Sequence, residues 1–301
     1  MSNSPQVDVI DLNFLGQQNG IAAFVILSNE GPILVETGPH STLPILEAGL
    51  NDLGYEVKDV KHVFITHIHL DHAGAAWCFA EHGAKVYLHP FGVRHMHQPE
   101  KLLISAKRIY KEAMDTLWGT LKPIPREQLQ SMEHGTSVLV GEHTFTAWHS
   151  PGHAKHHIAW QVGQILFTGD VAGVCINHGP VIPPCPPPDI DIEAWSNSLD
   201  IIESIEDVST YFLTHFGKIT DTRSHVNKLR KGIEAYAGFT KTLYDEHKSN
   251  DDLLPSFQSF VQNYLTTHGL PAKDAMAYEA ANPSNMSLDG LMRYWKTKQG
   301  T

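Results

Sequence analysis

Thr66-His67-Ile68-His69-Leu70-Asp71-His72-Ala73-Gly74 puts three imidazoles and a carboxylate within six consecutive residues. The apolar run before it, residues 60–66 (VKHVFIT), reads as a strand, and residues 73–82 read as a helix that Gly83 stops. Under a strand's period of two, His67 and His69 point the same way. Asp71 and His72 then sit on the opening turn of the helix, aimed at a neighbouring point. One short segment can therefore serve two cations. Imidazole and carboxylate together suit zinc, while iron, manganese and cobalt accept the same donors.

Four ligands leave two coordination shells incomplete, so further His or Asp are required at later strand ends. The chain supplies them: His153 in Ser150-Pro151-Gly152-His153 after TFTAW, Asp170 after QILFTG, and His215 after YFLT. Each follows an apolar run closed by a turn, which lets all three converge on one sheet edge. An aspartate suits position 170 because the two oxygens of one carboxylate can bridge two cations.

Outward from this centre, residues 7–38 read as a β-meander (VIDLNFL, IAAFVIL, PILVETG) with Asn29-Glu30-Gly31 as a hairpin turn. A helix is predicted over 43–53 and a strand over 84–88. Residues 96–130 read as a helical insertion, with Leu102, Leu103, Ala106, Ile109 and Tyr110 at helical spacing before a proline-broken segment. A second strand-rich block, SVLV, TFTAW, HIAWQV and QILFTG, fills 137–168. The proline-rich stretch 181–188 is a stiff connector, 192–204 a helix and 210–214 the last strand. Two β-rich halves that each deliver ligands at strand ends imply two sheets packed face to face with helices outside. The expected layout is an α/β, four-layer domain over 1–219 and a helical extension over 220–301.

The formal charge of -11, from 22 basic and 33 acidic residues, opposes binding to a phosphate backbone, and no local basic patch offsets it. A small-molecule substrate is expected, with no nucleic-acid and no membrane partner. Cys78, Cys175 and Cys185 cannot all pair and show no CxxC spacing. With no leader-like or membrane-spanning run, they point to a reduced, cytoplasmic setting. Histidine is abundant, at 20 residues. His62, His82, His89, His95, His97, His134, His143, His149, His156, His178 and His225 are expected at surface or satisfied polar positions. Tyr110, Trp118 and Trp148 could line a pocket mouth, but their helical or strand spacing places them in the core; Arg223, Lys228, Arg230 and Lys231 could attract an anionic substrate arm, but a solvated helix face is expected.

In these motifs and their order the chain resembles the metallo-β-lactamase superfamily over residues 7–217. The motifs are H-x-H-x-D-H, the Pro151-Gly152-His153 turn, Thr168-Gly169-Asp170 and Thr214-His215-Phe216-Gly217. The resemblance implies an αββα sandwich with the metals at one edge. It implies His67, His69 and His153 on a first metal, Asp71, His72 and His215 on a second, and Asp170 between them. Two Zn2+ ions are the expected cofactors, with iron or manganese as alternatives. Aspartate rather than cysteine at 170 sets the chain apart from the antibiotic-destroying subclass with a cysteine ligand, and nearer the glyoxalase II and lactonase branch. Family members commonly have aspartate where Glu36 stands in Glu36-Thr37-Gly38. Glu36 is expected to support a ligand histidine, and His157 to lie beside the ligands rather than among them.

The activity this implies is hydrolysis by a metal-bound hydroxide that attacks a carbonyl in a thioester, lactone or ester, with promiscuous β-lactam hydrolysis alongside. Asp71 is the candidate for handling the proton. Two alternatives use similar centres. A phosphodiesterase or nuclease is opposed by the acidic balance. An iron-dependent persulfide dioxygenase or diiron oxidase is opposed, in its oxidase form, by His69, where glutamate is usual, and by the lack of a flavin domain.

Overall fold

The computed structural model describes residues 5–246, 248–271 and 274–300. The chain opens with β1 (Val7–Asp11), β2 (Ala22–Ser28) and β3 (Gly31–Val35), an antiparallel meander whose turn falls at Asn29 and Glu30. Then come α1 (Leu43–Asp52), β4 (His62–Phe64), α2 (Leu70–Ala73), α3 (Ala76–Glu81), β5 (Lys85–Leu88), α4 (Pro90–His97), α5 (Glu100–Tyr110), α6 (Met114–Trp118) and β6 (Leu129–Ser131). β3 to β6 run parallel and complete a six-stranded mixed sheet in sequence order. β7 (Ser137–Val140), β8 (His143–His149), β9 (Ile158–Val162) and β10 (Ile165–Phe167) begin a second sheet. Helix α7 (Ile192–Ser204) then leads to β11 (Thr210–Leu213) and β12 (Gly217–Ile219), giving the order β12-β11-β10-β9-β8-β7. The chain closes with α8 (Thr222–Tyr244), α9 (Asn250–Thr267), α10 (Ala275–Ala281) and α11 (Ser284–Lys298).

Alternation along β2 shows why the layers stack as they do. Ala22, Phe24 and Ile26 enter the core between the sheets, while Ala23 and Val25 enter the core under α1 and α3, and all five are fully buried. A strand buried on both faces needs a near-continuous apolar run, and IAAFVIL is one. Between the sheets Phe64 stacks on Phe145 at 3.9 Å and on Tyr87 at 4.3 Å. The outer face of the second sheet is covered by α7 and by α8, α9 and α11, so Leu166 and Tyr211 share a core with Trp195, Leu229, Phe257 and Leu291. This is the αββα arrangement with C-terminal helices. No helix among the described residues is long and apolar enough to cross a membrane, and the three cysteines are buried and unbridged.

Several expected boundaries shift. β4 ends at Phe64, two residues before Thr66, so strand alternation is not what aims His67 and His69. The helix expected over 73–82 is split into α2 and α3. A Cβ on Gly74 would lie 2.4 Å from the Leu70 carbonyl and 2.9 Å from Pro39 Cα, and this close chain crossing leaves room only for glycine. The insertion holds two helices rather than one. β6 and β12 are strands the pattern did not announce: each is three residues long, too short for a periodicity to register.

Candidate metal centre

The carboxyl ends of β4, β10 and β11 and the loop between β8 and β9 meet at one edge of the sandwich. Four short connections deliver the side chains. After β4, the Thr66 carbonyl accepts from Ile158 N at 2.8 Å, tying the first sheet to the second directly beside His67. His69 precedes α2, whose first turn carries Asp71 and His72. His153 sits in a turn at Gly152, where φ is +135° and an added Cβ would fall 2.3 Å from Trp195 Cα, so helix α7 presses directly on this loop. Asp170 and His215 follow β10 and β11.

All seven residues singled out in the sequence come together, in two adjoining groups. In the first, His67 Nε2 lies 2.9 Å from His69 Nδ1 and 3.2 Å from His153 Nε2, and His153 Nε2 is 3.0 Å from His69 Nδ1. In the second, His72 Nε2 and His215 Nε2 stand 3.6 and 3.5 Å from Asp71 Oδ2. Asp170 faces both: Oδ2 is 3.3 Å from His153 Nε2, while Oδ1 is 3.2 Å from His72 Nε2 and 3.4 Å from His215 Nε2.

The far side of each ring shows which nitrogen is free. A carbonyl only accepts, so His153 Nδ1 donates to Pro184 O at 2.9 Å and His215 Nδ1 to Gly20 O at 2.7 Å, leaving their Nε2 atoms for the centre. Glu36 orients one ring in each group. It accepts directly from His72 Nδ1 at 3.2 Å and from the Thr66 hydroxyl, and Thr66 Oγ1 in turn accepts from His67 Nδ1 at 3.1 Å. Glu36 is fully buried and holds a φ of +64°, an uncommon conformation for a side chain of this size. The extra methylene relative to aspartate thus does not break the support. His157 lies beside the ligands, as expected: its Nδ1 is 2.8 Å from Ser150 Oγ and its Nε2 accepts from Asp170 N at 3.1 Å.

The arrangement fits cations. Three imidazole nitrogens within about 3 Å of one another cannot all be satisfied by hydrogen bonds among themselves, because a ring nitrogen either donates or accepts and two of the same kind must then face each other. His72 Nε2, His215 Nε2 and Asp170 Oδ1 are buried with no hydrogen-bond partner, a costly state unless another group completes them. Three sets, His67/His69/His153, His67/His72/Asp170 and Asp71/His72/His215, each bring ligand atoms within 4.8 Å of one another. Electrostatics agree. Burial opposes charge on Asp170, yet His72, His215 and His153 outweigh it and hold the carboxyl well below its usual range. Asp71 is likewise held down, at about 2, by His72 and His215 against burial. Burial, reinforced by His153, pushes His69 down to about 4 and so keeps its ring a neutral donor.

Two placements add to the sequence reading. His156, expected at a satisfied or surface position, stacks 6.1 Å from the His67 ring and edges His69 at 5.6 Å; its place next to His157 was the available signal. Trp118 is buried in the core under the first sheet and Tyr110 packs against it, as expected, and both also line a cavity over the centre together with Asp71, His69 and His153. Trp148 does pack on the core and donates to Gln161 Oε1 at 2.9 Å. Arg230 pairs with Asp200 and Glu203 across to α7, while His225 is buried and bonded to the Ala172 carbonyl at 2.7 Å.

Comparison with known proteins gives a family match over residues 17–215, to the metallo-beta-lactamase superfamily. A metallo-beta-lactamase fold-containing protein of Sulfurisphaera tokodaii is 29% identical over 148 residues, covering 46% of this chain and 54% of that protein. The match thus spans about half the length of that curated relative. Among solved structures, a metallo-beta-lactamase family protein from Thermus thermophilus superposes with a TM-score of 0.69 at 20% identity, covering 98% of this chain and 94% of the other. An archaeal superfamily protein from Sulfolobus tokodaii superposes with a TM-score of 0.66 at 18% identity, over 96% and 99%.

Proposed function

The chain belongs to the metallo-β-lactamase superfamily, and from that premise we propose a dinuclear, zinc-dependent hydrolase of small carbonyl compounds, on the lactonase and thioesterase side of the superfamily. The observation that carries this reading is Asp170. One buried carboxylate turns an oxygen toward each of two histidine groups, one of them three imidazole nitrogens crowded together and the other holding two nitrogens with no hydrogen-bond partner.

His67, His69 and His153 would hold one cation, Asp71, His72 and His215 the other, with Asp170 between. Bound there, the pair supplies a water acidified toward neutral pH and a Lewis acid for a carbonyl oxygen. The chain's own residues do the rest. Pro184 and Gly20, through their carbonyls, and Glu36, directly and through Thr66, fix four imidazoles before any substrate arrives, so little reorganisation accompanies reaction. Asp71 is the most exposed carboxylate of the centre and borders the cavity. It is the group placed to take a proton and return it to a leaving oxygen or sulfur. The buried rings and apolar walls exclude bulk water from the reacting carbonyl.

The test is to strip the full chain with a chelator, reload it separately with zinc, iron or manganese, and assay a lactone, a thioester, a carboxylic ester, a β-lactam and a phosphodiester. Zinc-restored turnover of one or more of the first three is expected. Restored cleavage of the phosphodiester alone, or undiminished turnover after stripping, overturns the reading.

A further inference from the structure

We infer that the C-terminal helices are part of the metal centre: the buried pair Asn282 and Ser287 positions the proline-rich connector so that the Pro184 carbonyl stays aimed at His153. The inference rests on the cation assignment of the hydrolase reading, and not on the reaction. The connector itself shows why an outside holder is required. Five of the six residues from 183 to 188 are proline, so Cys185 supplies the segment's only backbone N–H and no hydrogen-bonded ladder can fix it. Proline stiffness sets the shape of such a segment, but its placement has to come from contacts made by other parts of the chain. His153 depends on that placement, because its Nδ1 donates to Pro184 O at 2.9 Å.

The tail supplies those contacts on both sides of Pro184. Asn282, between α10 and α11, donates from Nδ2 to Pro183 O at 3.1 Å, and Cys185 N donates to Ser287 Oγ, in the first turn of α11, at 3.3 Å. Ser287 Oγ in turn donates to Asn282 Oδ1 at 2.8 Å, which joins the two side chains into one unit. Both residues are buried, so no water stands ready to replace a lost partner. Further along α11, Gly290 lets the helix close on the connector, since an added Cβ would fall 2.0 Å from Cys185 O, and Arg293 Nε donates to Pro188 O at 3.1 Å. Loss of the Asn282–Ser287 unit therefore frees Pro184 and lets the His153 ring turn from the first group. The second group stays in place, because Glu36 and the Gly20 carbonyl hold its rings.

The experiment measures the affinity of the stripped full chain for each zinc ion by chelator competition, and repeats the titration with cobalt, whose visible absorption reports ligand geometry. The first-group cation is identified by its loss in His69→Ala. Ser287→Ala and Asn282→Leu are each expected to weaken that cation about tenfold and to alter its cobalt spectrum, while the second cation holds within about twofold. If Asn282→Leu fails to fold, Ser287→Ala, which removes a single hydroxyl, decides. Added to His153→Ala, neither change should weaken binding further, because the ring through which they act is gone. Tyr278→Phe removes a tail hydroxyl as deeply buried but bonded to Ile176 N and Pro180 O, and is expected to leave the first cation untouched. Equal weakening by Tyr278→Phe, a further loss on top of His153→Ala, or unchanged affinity in Ser287→Ala overturns the inference. A parent chain that takes up no cation overturns the cation assignment with it. If both cations bind and respond as expected while no carbonyl substrate is turned over, the positioning role stands and the hydrolase reading fails.

Discussion

At the floor of the cavity, Asp170 touches three histidines at 3.2–3.4 Å and four of the five rings are oriented by a carbonyl or by Glu36, whereas the walls from Leu102 to Met286 are mostly apolar. The floor is assembled from strand ends whose positions are set by two hydrogen-bonded sheets. The walls come from an insertion and a tail that pack on those sheets from outside. Directional donors tolerate little displacement, so the chemistry resides where the backbone is held by sheet ladders. Apolar walls tolerate more, because burial is non-directional and roughly proportional to area. The contrast separates what makes the reaction possible from what chooses the substrate.

Changes at the floor should reach furthest. His67→Ala with His69→Ala removes two of the three imidazoles of the first group. Turnover should fall by about 10³-fold or more, with elemental analysis showing loss of bound metal. Retained activity in metal-free variant protein would dissolve the distinction between floor and walls. One step back from the ligands, Glu36→Gln should weaken metal affinity about tenfold and Glu36→Ala up to about 100-fold, measured by chelator competition. Because Glu36 reaches His72 directly and His67 through Thr66, both cations should loosen together. Loosening of only one would show that the relay through Thr66 carries nothing. The walls should respond least: Leu102→Ala should raise KM for a neutral, apolar substrate roughly threefold to tenfold while metal content stays unchanged. A fall in kcat alone would mean that the insertion shapes the floor as well.

Legibility in the sequence follows the same division. The seven candidate ligands were readable because donors of the right chemistry recur at the ends of apolar runs, and a run of five to seven residues such as IAAFVIL carries its own signal. Residues 192–204 were readable as a helix to the residue. β6 and β12 were not, since each exists only through pairing with a longer neighbour, β5 or β11. Nor was the aim of His67 and His69. They lie beyond the last residue of β4, and their convergence depends on the crossing between Thr66 and Ile158. Tyr110 and Trp118 look like core residues at helical spacing, and nothing in that spacing says that the facing wall lies at Ala281 and Met286, more than 160 positions later.

By itself the sequence determined which atoms were available to bind cations and which runs would be buried on both faces, because donor chemistry and apolar periodicity are local properties of a chain. Only the tertiary structure decided that Asp170 stands between two histidine groups, that Glu36 serves a ring in each, and that a largely apolar cavity lies above them. Those are relations between segments that meet only after two sheets have closed on a common core and fixed their edges within hydrogen-bonding distance.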